Sequence, residues 1–532
     1  DYFLGGRDAT WLAIGASIFA SNIGSEHLIG LAGAGASSGM AMAHWEIQGW
    51  MILILGWVFV PFYSRSMVYT MPEFLERRYN PQSRTILSVI SLVSYVLTKV
   101  AVTVYAGGLV FQQVFGIKEL WGIDFFWIAA IGLVVLTALY TIFGGMKSVL
   151  YTSVLQTPIL LLGSLIILVL GFKELGGWDE MMRVCGAVTV NDYGDTMTNL
   201  IRSNDDANFP WLGALIGSAI IGFWYWCTDQ FIVQRVLSGK NEKEARRGTI
   251  FGAYLKLLPV FLFLIPGMIA FALHQKYIGA GGEGFLPMLA NGTANADAAF
   301  PTLVAKLLPA GVKGLVVCGI LAALMSSLAS LFNSSAMLFT IDFYKRFRPE
   351  TPEKKLVGIG QIATVVIVIL GILWIPIMRS VGDVLYTYLQ DVQSVLAPGI
   401  AAAFLLGICW KRTSAQGGMW GLIAGMIIGL TRLGAKVYYS NAGEVADSTF
   451  KYLFYDMNWL FFCGWMFLFC IIVVIVVSLA TEAPTAEKIQ GLVFGTATKE
   501  QKAATRASWD HWDIIHTVII LAITGAFYWY FW

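Results

Sequence analysis

Charge is scarce in this chain. Of its 532 residues, 13% are Asp, Glu, Lys or Arg, about half of what an average soluble domain carries. With 57% hydrophobic residues and a mean hydropathy of +0.69, that scarcity excludes a soluble globular protein of this length. The formal net charge is only +2, and the basic residues sit in short separate loops, so nucleic acid is not an expected partner. Six cysteines, five of them in apolar runs, make no disulfide framework. No HExxH, CxxC, nucleophile elbow or phosphate-cradling glycine pattern is present, which leaves an enzyme without its chemistry. No signal peptide is visible, and the start at Asp1 leads us to expect an upstream segment.

What the chain does have is apolar runs of about 20 residues, each long enough to cross about 30 Å of hydrocarbon as a helix. Spans are expected near 10–38, 42–64, 83–116, 121–143, 149–172, 211–236, 250–273, 302–344, 356–379, 383–410, 416–433, 457–480 and 512–531. The length of the third and eighth suggests tilt, or extension beyond the bilayer. Basic residues concentrate in the loops after the second, sixth, eighth and tenth spans, for example Arg77 and Arg78, Arg246 and Arg247, Lys354 and Lys355, and Lys411 and Arg412. The loop after the fifth span is instead acidic, with Asp179, Glu180, Asp192, Asp195, Asp205 and Asp206. The excess of Lys and Arg on alternate loops places them and residue 1 on the cytoplasmic side of a plasma membrane (the inner membrane in a bacterium) and residue 532 outside. Asn291-Gly292-Thr293 is a glycosylation triplet in an expected outer loop.

Polar residues inside such spans are costly and point to function. In the first span, Ala20-Ser21-Asn22-Ile23-Gly24-Ser25-Glu26-His27 interrupts an apolar helix. A break there would free carbonyls, at Ala20 and Ile23 for example, to hold a cation, while Asn22, Glu26 and His27 offer hydrogen bonds; small residues also serve plain close packing. Glu46 can accept hydrogen bonds from sugar hydroxyls, whereas Glu26 and His44 fit better as residues facing outer water. Trp224-Tyr225-Trp226 could stack on a sugar face, and Lys256, deep in an apolar run, needs a partner or a cavity. Ala323, Ser326, Ser327 and Ser330 fall on one helical face, with hydroxyls suited to an alkali cation or to helix packing. Gln390 precedes Pro398-Gly399, a pair that reads as the mark of a discontinuous helix.

Taken together and in this order, Tyr2 to Arg7, Gly15-Ala16-Ser17, Ala20 to Ser25, Trp224 to Arg235, Tyr254 to Pro259, Met325 to Asn333 and Trp410-Lys411-Arg412 resemble the solute:sodium symporter family, most closely its sodium/glucose cotransporter branch. The resemblance implies an all-α polytopic membrane protein with the LeuT fold. Two inverted five-helix repeats, about 10–172 and 211–410, would form a transport core over 1–410, with peripheral helices in 411–532. It further implies a sodium site at the carbonyls of Ala20, Ile23 and Ala323 and the hydroxyls of Ser326 and Ser327. The implied sugar contacts are Asn22, His27, Glu46, Lys256 and Gln390, with Tyr225 as the inner gate stacked beneath the sugar and Trp226 beside it as a further substrate-binding residue, and Leu31, Met42 and Tyr386 as outer gate.

Three positions depart from the family pattern. Gly222 stands where a Thr or Asn touches a sugar hydroxyl, so that contact would be lost or taken by water. Ser153 and Ala329 stand where two-sodium members carry Asp and Thr, which implies one sodium per sugar. The expected activity is sodium-driven symport of glucose or galactose. Myo-inositol or a sialic acid is the alternative within transport, and a sodium channel or sugar sensor outside it; the partners are then a small solute, Na+ and the bilayer.

Overall fold

The computed structural model describes residues 4–24, 26–289, 292–379, 385–441 and 446–532, apart from the side chains of some residues within helices, Leu385 to Tyr388 among them. Asn291 of the glycosylation triplet and Ser25 of the first-span cluster lie outside the described residues. The architecture is helical. The described strands are one antiparallel pair, Glu119–Leu120 with Ile123–Asp124, in the short loop before the fourth span.

The first span is broken where the polar cluster falls. Trp11–Asn22 is helical, Ile23 turns to an extended backbone (φ −79°, ψ 99°), and the chain resumes helically at Glu26–Leu31 and Ala32–Ser38. The sixth span breaks as well: Trp211–Gly222 and the widened turn Phe223–Thr228 end at extended Asp229, which caps the next helix, Gln230–Leu237. Both widened turns, Glu26–Leu31 and Phe223–Thr228, are π-helical, a geometry that loosens the i to i−4 ladder and recurs at functional sites.

Several expected boundaries move. The fourth and fifth spans are recorded as one helical run, Phe125–Leu175. Straight, its 51 residues would extend about 75 Å, far beyond the membrane. Leu133 and Leu324 both adjoin Gly107, however, while Ser153 bonds Ser326, so positions 20 residues apart in the run meet the eighth span at one depth. The run therefore reverses between them and crosses twice, as two spans. The long eighth span proves to be two helices, Ala299–Leu307 and Ala310–Met337, parted at Leu308-Pro309 because proline cannot continue the first. The break expected at Pro398-Gly399 does not occur: Leu385–Cys409 is helical throughout. Gly399 is there for close packing, since a Cβ on it would come within 2.9 Å of the Gly425 Cα in the eleventh span.

Ends of the spans agree on sidedness. Ala9 bridges to Gly239 in a basic loop, and Arg247 pairs with Asp510 at the foot of the last helix, His511–Tyr530. At the opposite end the Leu200 amide of the acidic loop donates to the Phe531 carbonyl. Arg78, buried on a cytoplasmic helix, donates to the carbonyls of Gly407, Trp410 and Thr413 and so satisfies the end of the tenth span. Exposed Leu155, Ile362 and Leu373 face outward as residues bathed by lipid do.

Candidate substrate cavity and cation site

Extended backbone at Ile23 stops the helical ladder, and no backbone amide among the described residues donates to the carbonyls of Ala20 or Ile23. The break lies directly on the eighth span: a Cβ on Gly24 would stand 2.8 Å from Ser327 Oγ, so only glycine fits. Ser21 and Ser330 share a hydrogen bond of 2.6 Å beside it. From the fifth span, Ser153 Oγ lies 3.3 Å from Ser326 Oγ, and Thr157 donates to the Ala16 carbonyl. Ala20, Ile23, Ala323, Ser326 and Ser327 are all buried at this junction of three spans. The oxygens there belong to neutral hydroxyls and carbonyls, a donor set that suits a hard monovalent cation. Ala329, fully buried, offers no side-chain oxygen.

Beside the junction is a narrow polar cavity of about 30 Å³, far below the usual range for small-molecule sites, so a solute would enter it only as the walls part. Asn22, His27, Glu46, Tyr225, Trp226, Lys256 and Gln390 all line it. Lys256 finds the partner its burial demands: its Nζ donates to Glu46 Oε2 at 2.6 Å and to Asn22 Oδ1 at 3.2 Å. His27 Nε2 reaches the same Glu46 oxygen at 3.1 Å, and Asn22 Nδ2 donates to the Tyr225 hydroxyl. Glu46 is held between two nitrogens, and Asn22 links the ion pair to the aromatic floor. Tyr225 and Trp226 meet edge to face with centroids 4.9 Å apart, and the Lys256 ammonium lies over the Trp226 ring. Leu31 and Met42 are sealed from solvent; the Tyr386 side chain lies outside the described residues.

Two expectations for residues facing outer water are overturned. Glu26 lines the cavity, because the helix resumes there as a π-turn, and its carboxylate has no hydrogen-bond or ion-pair partner among the described residues. His44 is buried: Nε2 donates to the Leu200 carbonyl, and Nδ1 is left to accept from the Tyr528 hydroxyl of the last helix. Gln48, Gln393, Trp45 and Ile221 also line the cavity without having been expected. Gln393 follows Gln390 by three positions and so shares its helical face, a spacing visible in the sequence.

Residues 2–425 match the family model described as Sodium:solute symporter family. The chain belongs to this family. Among relatives, the symporter is 37% identical over 508 residues to sodium/myo-inositol cotransporter 2 of Homo sapiens, covering 93% of this chain and 74% of that one. Against sodium/glucose cotransporter 1 of Ovis aries it is 39% identical over 499 residues, with 90% and 74% covered. A solved Na+-coupled sialic acid symporter in its substrate-bound outward-open state aligns with a TM-score of 0.70 at 22% identity, over 91% of this chain and 93% of that one. MhsT in complex with L-phenylalanine aligns at 0.51 and 13% identity, over 89% and 99%. The symporter has the LeuT fold. It is a multi-pass protein of the plasma membrane and a transporter, not an enzyme.

Proposed function

We propose that the symporter couples one Na+ to the inward movement of one neutral polyhydroxylated solute, a hexose such as glucose or galactose. The observation that carries this reading is the convergence of Asn22, His27, Glu46, Tyr225, Trp226, Lys256 and Gln390 on one cavity that abuts the broken first span. Stacking surface and neutral or paired polar groups suit hydroxyls. Two carboxylates, Glu26 and Glu46, face one ammonium, Lys256, and this balance disfavours an anionic solute such as a sialic acid. The similarity to cotransporters named for myo-inositol favours a second reading, in which the solute is that cyclitol.

In the proposed site, Na+ is held by the carbonyls of Ala20, Ile23 and Ala323 and the hydroxyls of Ser326 and Ser327. The ion would tie the first span to the eighth and hold Asn22 and His27 in their solute-binding geometry. Binding of one ligand then favours the other, by a differential affinity for the outward-facing state. Ser153, already bonded to the Val149 carbonyl, and Ala329 leave a second cation without a carboxylate or a hydroxyl, which supports single-ion coupling. Transport core and periphery would divide at about residue 410, with repeats near 10–172 and 211–410. Tyr225 would gate the inner side, with Trp226 beside it binding the solute; Leu31, Met42 and Tyr386 would gate the outer.

The test is uptake of labelled glucose, galactose and myo-inositol into proteoliposomes under an inward sodium gradient. Accumulation above the external concentration, lost when the gradient is collapsed, is expected. Downhill flux alone, or sodium current without accumulation, would point to a channel or sensor instead.

A further inference from the structure

We propose that Gln48 is a solute-contacting, specificity-determining residue, seated in a notch that glycine at position 222 leaves open; the inference rests on the solute occupying the cavity described above. Gln48 lies where the second span is interrupted between Ala43–Glu46 and Gly49–Ile54. Its side chain is buried, and its Nε2 donates to the Ser218 carbonyl at 2.7 Å. A carbonyl only accepts, so this bond decides which way the amide faces. Oε1 must point away from Ser218. No described residue donates to it, yet it is not one of the orphaned atoms sealed from solvent. Gln48 lines the cavity, and the open acceptor is therefore directed at whatever fills that space.

Position 222 decides whether this acceptor can exist. A Cβ added to Gly222 would stand 2.4 Å from Gln48 Oε1 and 2.9 Å from its Cδ. A side chain at 222 and the observed Gln48 rotamer exclude one another. The wall of the cavity near Ile221 and Gly222 is thus furnished from the second span rather than the sixth. It presents a neutral, pre-oriented acceptor, suited to one hydroxyl of a polyol and offering nothing to a methylene or a second carbonyl.

The proposal is tested by uptake kinetics of the parent solute and its monodeoxy analogues, in wild type, Gln48→Met and Gln48→Ala. Removing one neutral hydrogen bond should raise KM about 3- to 10-fold with kcat kept. One deoxy analogue should lose the same factor in wild type and lose nothing further in Gln48→Met. Gly222→Ser alone should impair uptake, and Gly222→Ser with Gln48→Ala should recover part of it. Equal KM in wild type and both Gln48 variants, with Gln390→Ala and Asn22→Ala raising KM, would overturn the role of Gln48 alone. If none of these variants alters KM, the solute does not bind in this cavity and both readings fall.

Discussion

Lys99 and Asp229 form a buried ion pair of 2.6 Å just cytoplasmic of Tyr225, with the ammonium 4.5 Å from the centre of the Tyr225 ring. Tyr95 donates to the other Asp229 oxygen, so the carboxylate at the break of the sixth span is satisfied on both sides. Removing one partner of such a pair is far more damaging than removing both, because the survivor keeps its charge without compensation. Asp229→Asn should lower the melting temperature in detergent, and Lys99→Gln with Asp229→Asn should restore much of it. A double variant that melts no higher than the single one would show that the pair is not the source.

Gly24→Ala drives a methyl group to 2.8 Å from Ser327 Oγ, where the first and eighth spans touch. Uptake should fall at least about fivefold, matching a forced shift that costs about 1 kcal/mol or more at a closely packed contact. Combining it with Ser327→Gly should return thermal stability without returning sodium dependence. Stability that stays low in the double variant would mean the clash lies elsewhere.

Ser327→Ala takes one oxygen from the proposed ion site. Hydrogen-bond and ligand losses to a charged group are worth roughly 1.5–3 kcal/mol, so half-saturation by sodium should rise on the order of 10- to 100-fold. Sodium titration of uptake reads this directly; an unchanged sodium curve removes Ser327 from the site.

Gln390→Ala and Glu46→Gln should weaken solute binding while leaving the sodium requirement in place. The Gln390 Oε1 atom is buried without a partner among the described residues, and a solute hydroxyl would supply its donor. A KM higher by about 3- to 10-fold is expected for Gln390→Ala. Glu46→Gln should cost more, since Lys256 and His27 lose their shared carboxylate.

Stoichiometry has a thermodynamic signature. At equilibrium one Na+ per solute makes the accumulation ratio rise tenfold per tenfold sodium ratio, and 100 mV adds about 2.3 kcal/mol, roughly a further fiftyfold. A hundredfold rise per tenfold sodium ratio would mean two ions move.

The sequence reveals the break at Asn22 to Gly24, because a glycine flanked by small polar residues weakens the helix in the middle of an apolar run. It also singles out Lys256 as needing a partner, and Glu46 meets that need. What it conceals depends on distance through space. Nothing local ties Gln48 to Ser218 or Gly222, 170 or more positions away. Pro398-Gly399 misleads for the same reason: the close approach of Gly425 is a tertiary fact, and it gives the glycine a role unrelated to discontinuity. Glu26 misleads because a single π-turn rotates the residue onto the cavity side.

The last helix is poorly covered, yet it is stitched to its neighbours at every level. Asp510 and Asp513 hold Arg247, Tyr254 meets His516, Thr517 receives Trp57, and Tyr528 meets His44, with the Phe531 carbonyl taking the Leu200 amide. These bonds run from the cytoplasmic to the external end and engage the second and seventh spans. A slide by even one residue would unfasten all of them together. The last helix thus ties the second span to the seventh along the whole depth of the membrane, although it contributes no side chain to the cavity those two spans line.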